Sequence, residues 1–193
     1  VPIEKLIAYF DNLVPLTDEE QEKLSKRVSE RRIKRRQFLL QEGDICKHYN
    51  FIIEGCCKMY GVDDKGGEHN IQFAAENDWI TDIGSFHSDS PSKLYIEAIE
   101  PTIVLQIAKP DLIFFYEDNI TFNRNFRVLV ENKFVELQNR VLQNISSTAE
   151  ERYRAFIAQY PQLYNRLPST QIASYLGITP EFLSKIRKEL ASK

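Results

Sequence analysis

Apolar positions along the chain change their period twice, and the changes divide it. Residues Ile3–Leu13 and Thr17–Ser29 carry amphipathic spacing and predict two helices. The second opens on Thr17-Asp-Glu-Glu20, a capping box in which the Thr17 hydroxyl and the Glu20 carboxylate each satisfy an orphan backbone donor. From about Arg32 to Ile107 the pattern shortens to β segments: 38–40, 49–54, 57–62, 70–74, 79–83, 95–99 and 103–107. Turn residues separate them, among them Gly43-Asp44, Gly55, Asp63 to Gly67, Glu76-Asn77-Asp78 and Pro101. Many short strands at regular spacing predict a compact sandwich or roll. Gly66-Gly67 reads as a hairpin turn and not a phosphate loop, because no helical pattern follows it. The basic run Arg31 to Arg36, broken by Ile33, reads either as an edge strand guarded by charge or as a phosphate contact.

After Lys109-Pro110-Asp111 the chain turns helical again, briefly over 112–117 and then over 120–145. Phe122, Phe126, Leu129, Val130, Phe134, Leu137, Val141 and Ile145 form one stripe on the long helix. A stripe of that length serves two surfaces, the β module and a twin helix of a second subunit, or else packs only within its own chain.

The last segment, Ser169 to Lys188, meets the requirements of a helix-turn-helix. Ile172, Ala173 and Leu176 share a face, and Ala173 is small enough for a second helix to approach. Gly177 supplies a left-handed turn at little cost. Thr179 and Pro180 suit the N-cap and first position of the next helix. Leu183, Ile186 and Leu190 continue the apolar seam, which leaves a polar, basic face of Glu181, Ser184, Lys185 and Lys188, flanked by Arg187. Such a face enters a major groove. With Ser169, Thr170, Gln171, Thr179 and Pro180, these residues make up the expected DNA-binding set; the alternative is an ordinary helical hairpin with a solvated basic face.

Charge sharpens the division. The 193 residues carry 25 Lys and Arg against 28 Asp and Glu, net minus 3, too acidic for a protein that binds nucleic acid along its whole surface. Residues 146–193 hold seven cations and four carboxylates, plus 3, so the remainder carries minus 6. An acidic module joined to a basic one is expected. No apolar run approaches the roughly 20 residues of a membrane span, the N-terminus lacks a signal-peptide core, and a cytoplasmic location is expected. Cys46, Cys56 and Cys57 are odd in number and two are adjacent, which suits buried apolar roles better than disulfides or an iron-sulfur cluster. His48, His69 and His87 are scattered, with no His-x-His pair, so neither a metal site nor an enzyme on a cupin-like roll is expected, and no catalytic residue is assigned.

The order helix, β-roll, long helix, helix-turn-helix resembles the cyclic AMP receptor protein family of transcription regulators, also named for the fumarate and nitrate reduction regulator (Crp/Fnr). Gln41-Glu-Gly-Asp44, Ile53-Glu-Gly55, the segment Asn77 to Phe86, the junction Ala149-Glu-Glu-Arg-Tyr153 and the terminal motif carry the resemblance over the whole chain. It implies an α+β fold: a cyclic-nucleotide-binding-like double-stranded β-helix (jelly roll) with N-terminal helices over 1–118, a dimerisation helix over 119–147, and a helix-turn-helix domain over 148–193. Its implied partners are two-fold symmetric double-stranded DNA, a second copy of the chain and RNA polymerase, with no membrane.

Departures from the family pattern qualify the effector. Where nucleotide-binding members carry Gly-Glu-Leu, this chain reads Thr81-Asp82-Ile83, and the position of their phosphate-binding Arg falls near Ser92 and Lys93. Without a bidentate guanidinium, cyclic AMP is not expected by the usual contacts. Thr81, Asp82, Ile83, Ser92 and Lys93 form either an effector pocket of altered specificity, its cofactor unknown, or polar turns around a vestigial pocket. The first reading makes the protein an effector-modulated regulator; the second makes it an effector-independent one. The family's β wing after the recognition helix is expected to be short or absent, or else to be cut off, in a sequence that ends at Ala191-Ser192-Lys193.

Overall fold

The computed structural model describes residues 2–191; Val1, Ser192 and Lys193, to which the expected outer domain bounds extend, lie outside the described residues. Helix α1 (Pro2–Asp11) and helix α2 (Asp18–Arg27) come first. Both halves of the capping box form, with Glu20 N donating to Thr17 Oγ1 at 3.3 Å and Thr17 N to Glu20 Oε2 at 2.8 Å. Eight strands follow: β1 (Val28–Ile33), β2 (Phe38–Leu40), β3 (His48–Glu54), β4 (Cys57–Val62), β5 (Glu68–Ala74), β6 (Trp79–Ile80), β7 (Tyr95–Ala98) and β8 (Thr102–Ala108). They pair antiparallel in two four-stranded sheets, β1-β8-β3-β6 and β2-β7-β4-β5, which is the expected jelly roll. The Asp63–Gly67 turn closes the β4–β5 hairpin as its glycines predict, with Gly66 at φ 82°.

Two expected boundaries are corrected. The second helix stops at Arg27 and edge strand β1 begins at Val28; of the basic run, Arg31 to Ile33 lie on that strand, as read, with Arg31 and Arg32 exposed and Ile33 buried, while Lys34 to Arg36 follow its end. Residues 79–83 do not form one strand, because β6 ends at Ile80 and a short helix, α3 (Ile83–Ser88), begins. Asp82 caps it by accepting from Ser85 N at 3.2 Å, a local hydrogen bond that outweighs the β-branched character of Thr81 and Ile83.

Helix α4 (Lys109–Asp118) leads into α5 (Ile120–Ser146), with Asn119 as N-cap through its 2.8 Å bond from Phe122 N. The α5 stripe divides along its length. Phe122, Phe126 and Leu129 are buried in the roll's core, where Phe122 stacks on Phe115 and Phe126 at ring centroids 4.3 and 4.8 Å apart. Asn125, fully buried, clamps the Val14 backbone, accepting from its N–H at 2.9 Å and donating to its carbonyl at 2.7 Å. Beyond that point Phe134, Leu137, Val141 and Ile145 are exposed.

Three further helices close the chain: α6 (Ala149–Gln159), α7 (Ser169–Leu176) and α8 (Pro180–Ala191). A second capping box, Thr148 with Glu151, starts α6 immediately after α5 ends. Burial sorts the apolar side chains into two cores. One fills the roll and its helices, and the other joins α6–α8 to Cys56, Phe73 and Ala75 of the roll. The adjacent Cys56 and Cys57 thus face different cores, as neighbours in an extended chain must. Burial raises both thiol pKa values, that of Cys57 to about 12, so neither ionises near neutrality.

Candidate nucleic-acid interface and effector cavity

The interface is built from α7, a tight turn and α8. Ile172, Ala173, Tyr175 and Leu176 of α7 are buried, and Gly177 turns the chain at φ 66° while its N–H returns to the carbonyls of Ala173 and Ser174. Thr179 caps α8 by accepting from Phe182 N at 3.2 Å. Leu183 and Ile186 seal α8 onto α7, and Leu190 is half-buried at the same seam. That seam leaves Glu181, Ser184, Lys185 and Lys188 exposed on the opposite face, with Thr170 and Thr179 exposed beside them and Pro180 half-buried. Ser184 Oγ donates to Pro180 O at 3.0 Å, and Lys185 lies 3.9 Å from Glu189 with its side chain largely in solvent.

Three of the expected DNA-binding residues are placed elsewhere. Arg187 turns inward, donating to Tyr153 Oη at 3.0 Å and to Ser169 Oγ at 2.7 Å, with its guanidinium over the Tyr153 and Tyr164 rings. Its position, one step from the Ile186 seam, lets its apolar stem pack and its head find two hydroxyls. Ser169 is consumed as the acceptor of that bond. Gln171 faces the roll, its side-chain and backbone oxygens accepting from Asn70 Nδ2 at 2.9 and 3.1 Å.

Those Asn70 bonds belong to an extended junction that sequence reasoning missed. Ser174 Oγ donates to Glu68 O at 2.7 Å and accepts from Asn70 N at 3.1 Å. Arg166 makes a forked pair with Glu76 at 2.9 and 3.0 Å and also contacts Glu100. Burial would raise the Glu76 pKa, but the Arg166 guanidinium and backbone donors, Gly55 N among them, outweigh it and hold the carboxyl at about 2. Arg140 of α5 reaches the carbonyls of Ile71, Asn70 and Tyr175 and lies 3.9 Å over the Tyr175 ring, so one guanidinium touches the roll, α5 and α7. Pairing residues this far apart in sequence leave no local periodic signal.

Beside Arg140 lies a cavity of about 470 Å³, bounded by the roll, α5 and the end of α6 with α7. Its wall is chiefly apolar, with Met59, Ile71, Leu94, Leu129, Phe134 and Tyr160 prominent. Lys133 and Arg140 supply its cations, and Lys133 is bound to Asp78 at 2.7 Å and Glu136 at 3.1 Å. Thr81, Asp82 and Ile83 line the cavity, whereas Ser92 and Lys93 do not. Ser92 is buried and donates to Asp82 Oδ2 at 2.6 Å, while Lys93 is exposed. With its other oxygen capping α3, Asp82 has both oxygens engaged locally. Thr81 Oγ1 is likewise spent, on Ile80 O at 2.6 Å. Among the described residues no group of three or more His, Cys, Asp or Glu is placed to hold a metal, and no helix is long and apolar enough to cross a membrane.

Comparison with known proteins places this geometry. Residues 30–119 match the family model for the cyclic nucleotide-binding domain. FixK2 from Bradyrhizobium japonicum is similar over 86% of this chain and 85% of its own, at TM-score 0.74 and 18% identity. The c-di-GMP-responsive global regulator CLP of Xanthomonas campestris is similar over 89% and 90%, at 0.67 and 12%. A transcriptional regulator of the Crp/Fnr family from Eubacterium rectale is similar over 92% and 84%, at 0.69 and 15%. No curated protein matches the sequence. Residues 30–119 thus resemble the cyclic nucleotide-binding domain, set in a chain with the fold of the Crp/Fnr regulators.

Proposed function

We propose that the protein is a homodimeric, DNA-binding transcription regulator in which α8 reads the major groove and the cavity beside α5 receives a small effector. One observation carries the DNA reading: Glu181, Ser184, Lys185 and Lys188 stand exposed on one face of α8, while its opposite face is sealed to α7 across the Gly177 turn. Polar side chains on such a face reach base edges and phosphates. The exposed α5 stripe of Phe134, Leu137, Val141 and Ile145 supports the dimer, since a second copy of the helix would bury it and set two α8 helices about 34 Å apart.

The effector reading rests on the cavity, whose size suits a small molecule. Its apolar wall, the engaged oxygens of Asp82 and the outward Lys93 argue against a cyclic nucleotide held by the usual contacts. An occupant would touch the roll, α5 and Tyr175 of α7 together, and could thereby shift the DNA-binding helices. The Asp82–Ser92 bond also favours a second reading, a vestigial cassette in an effector-independent regulator.

Selection of bound fragments from random duplex DNA tests the first claim. The expected product is a two-fold symmetric site, with Lys185→Ala weakening binding to it by about tenfold, the lower end of what one base contact contributes. Absence of any sequence-preferring binding, in wild type and variant alike, would refute it. Thermal-shift screening of nucleotides and apolar metabolites separates the two effector readings, because a saturating ligand raises the melting temperature.

A further inference from the structure

Segment 30–36, Glu-Arg-Arg-Ile-Lys-Arg-Arg, puts five cations and one carboxylate on a body of opposite charge. Residues 1–145 hold 18 Lys and Arg against 24 Asp and Glu, minus 6; the segment itself is plus 4, so the rest of that region carries minus 10. Guarding the edge strand accounts for only part of it. Arg32 pairs with Glu30 at 2.7 Å and Arg31 donates to Phe38 O at 3.1 Å, both along β1, where unpaired backbone needs protection. Lys34, Arg35 and Arg36 lie past the end of the strand, where there is no ladder to guard.

The turn that carries them is clamped. Ile33 is buried opposite Thr102, Lys34 N donates to Gln37 Oε1 at 2.8 Å, and Gln37 N donates to Lys34 O at 3.0 Å. Arg36 N donates to Ala98 O at 2.7 Å, and Ala98 N to Gln37 O at 2.9 Å. Arg36 sits at φ 65°, a conformation that glycine or asparagine adopts more easily. Yet the three side chains are exposed and make no hydrogen bond or ion pair among the described residues. Three free cations are thus held on a rigid frame.

The frame leads to the DNA-binding domain. Ile99, next to Ala98, packs against the second core, and its N–H donates to Cys56 O at 2.9 Å. Glu100, the following residue, pairs with Arg166 in the connection between α6 and α7. The basic turn therefore occupies the end of the roll onto which the helix-turn-helix domain docks. Elsewhere the acidic body repels a duplex; at this edge a duplex running past the half-site meets three unpaired cations.

We propose that Lys34, Arg35 and Arg36 form a phosphate-binding site for duplex DNA flanking the segment read by α8. This rests on the DNA-binding reading above. The contacts are to the sugar-phosphate backbone, so they add affinity and salt dependence without sequence preference.

The test compares the full chain with its Lys34→Gln/Arg35→Gln/Arg36→Gln variant on two duplexes carrying the selected site, one ending at the half-sites and one extended by about 10 base pairs, roughly one helical turn, on each side. Equal melting temperatures confirm that both proteins are folded. Wild type is expected to bind the extended duplex at least tenfold more tightly, with a steeper fall of log K against log salt. The variant should bind the short duplex as wild type does, forfeit the advantage of the flanks, and show a salt slope shallower by about 0.9 for each phosphate it no longer neutralises. The site is overturned if wild type shows no length dependence, if the variant keeps it, or if the variant weakens on both duplexes equally. A variant that keeps full DNA affinity but fails to recruit polymerase in a binding assay also overturns it, assigning the turn to an acidic protein surface. No binding of either duplex by wild type would instead sink the underlying DNA-binding reading, and this site with it.

Discussion

Arg166 holds two carboxylates of another module, and its removal would strand both. The Arg166, Glu76 and Glu100 side chains are each about one third exposed, so the cost of Arg166→Ala falls below that of a fully buried pair, at about 1–2 kcal/mol in urea melts. The sign of the pH dependence follows from Glu76. Its folded pKa of about 2 lies below its ordinary 4.5, so its contribution is complete above pH 4.5 and is lost as pH falls toward 2. Acid titration of Glu76→Gln should lack that component; an identical acid limb in variant and wild type would show that the pair does not fasten the domain. No local pattern marks Arg166 in the sequence, whereas the two cysteines were legible because alternation in an extended chain sends neighbours to opposite sides.

At the scale of elements, the helices α5 and α6 are the most consequential. The α5 stripe is continuous in sequence but divided in space, because the roll's apolar core stops at Leu129 and, among the described residues, Phe134, Leu137, Val141 and Ile145 stay about half exposed or more. Phe134→Glu with Leu137→Glu should leave the roll folded and shift sedimentation from dimer to monomer; a persistent dimer would exclude α5 as the interface. At the start of α6, Thr148→Ala removes one half of a capping box and should cost about 1 kcal/mol. Because the box fixes the break between α5 and α6, faster amide exchange is expected in the first turn of α6. Both capping boxes and the α8 cap are local patterns, but only the first was read from sequence as a reciprocal pair. Helix α3 escaped because its start depends on Asp82 accepting from Ser85, in a stretch whose composition favours strand.

For the whole molecule, the second core decides how the modules act on one another. Phe73 is fully buried, with its ring 5.3 Å from that of Tyr175 and 6.3 Å from that of Phe156, so Phe73→Ala should cost about 3 kcal/mol and speed proteolysis within α6–α8 before the roll opens. Simultaneous loss of roll and helices would instead show one cooperative unit. Local chemistry in the sequence determined most of the jelly roll's strands, the Gly177 turn and the polar face of α8, since period, capping and left-handed backbone are settled by neighbours within a few residues. Tertiary structure alone decided that Arg187 and Gln171 turn away from that face, that Asp82 and Ser92 bind each other, and that Cys56, Phe73 and Ala75 belong to the core of α6–α8. Each of these depends on a partner remote in sequence or on which surface remains uncovered after the chain has packed, and side-chain periodicity carries no record of either.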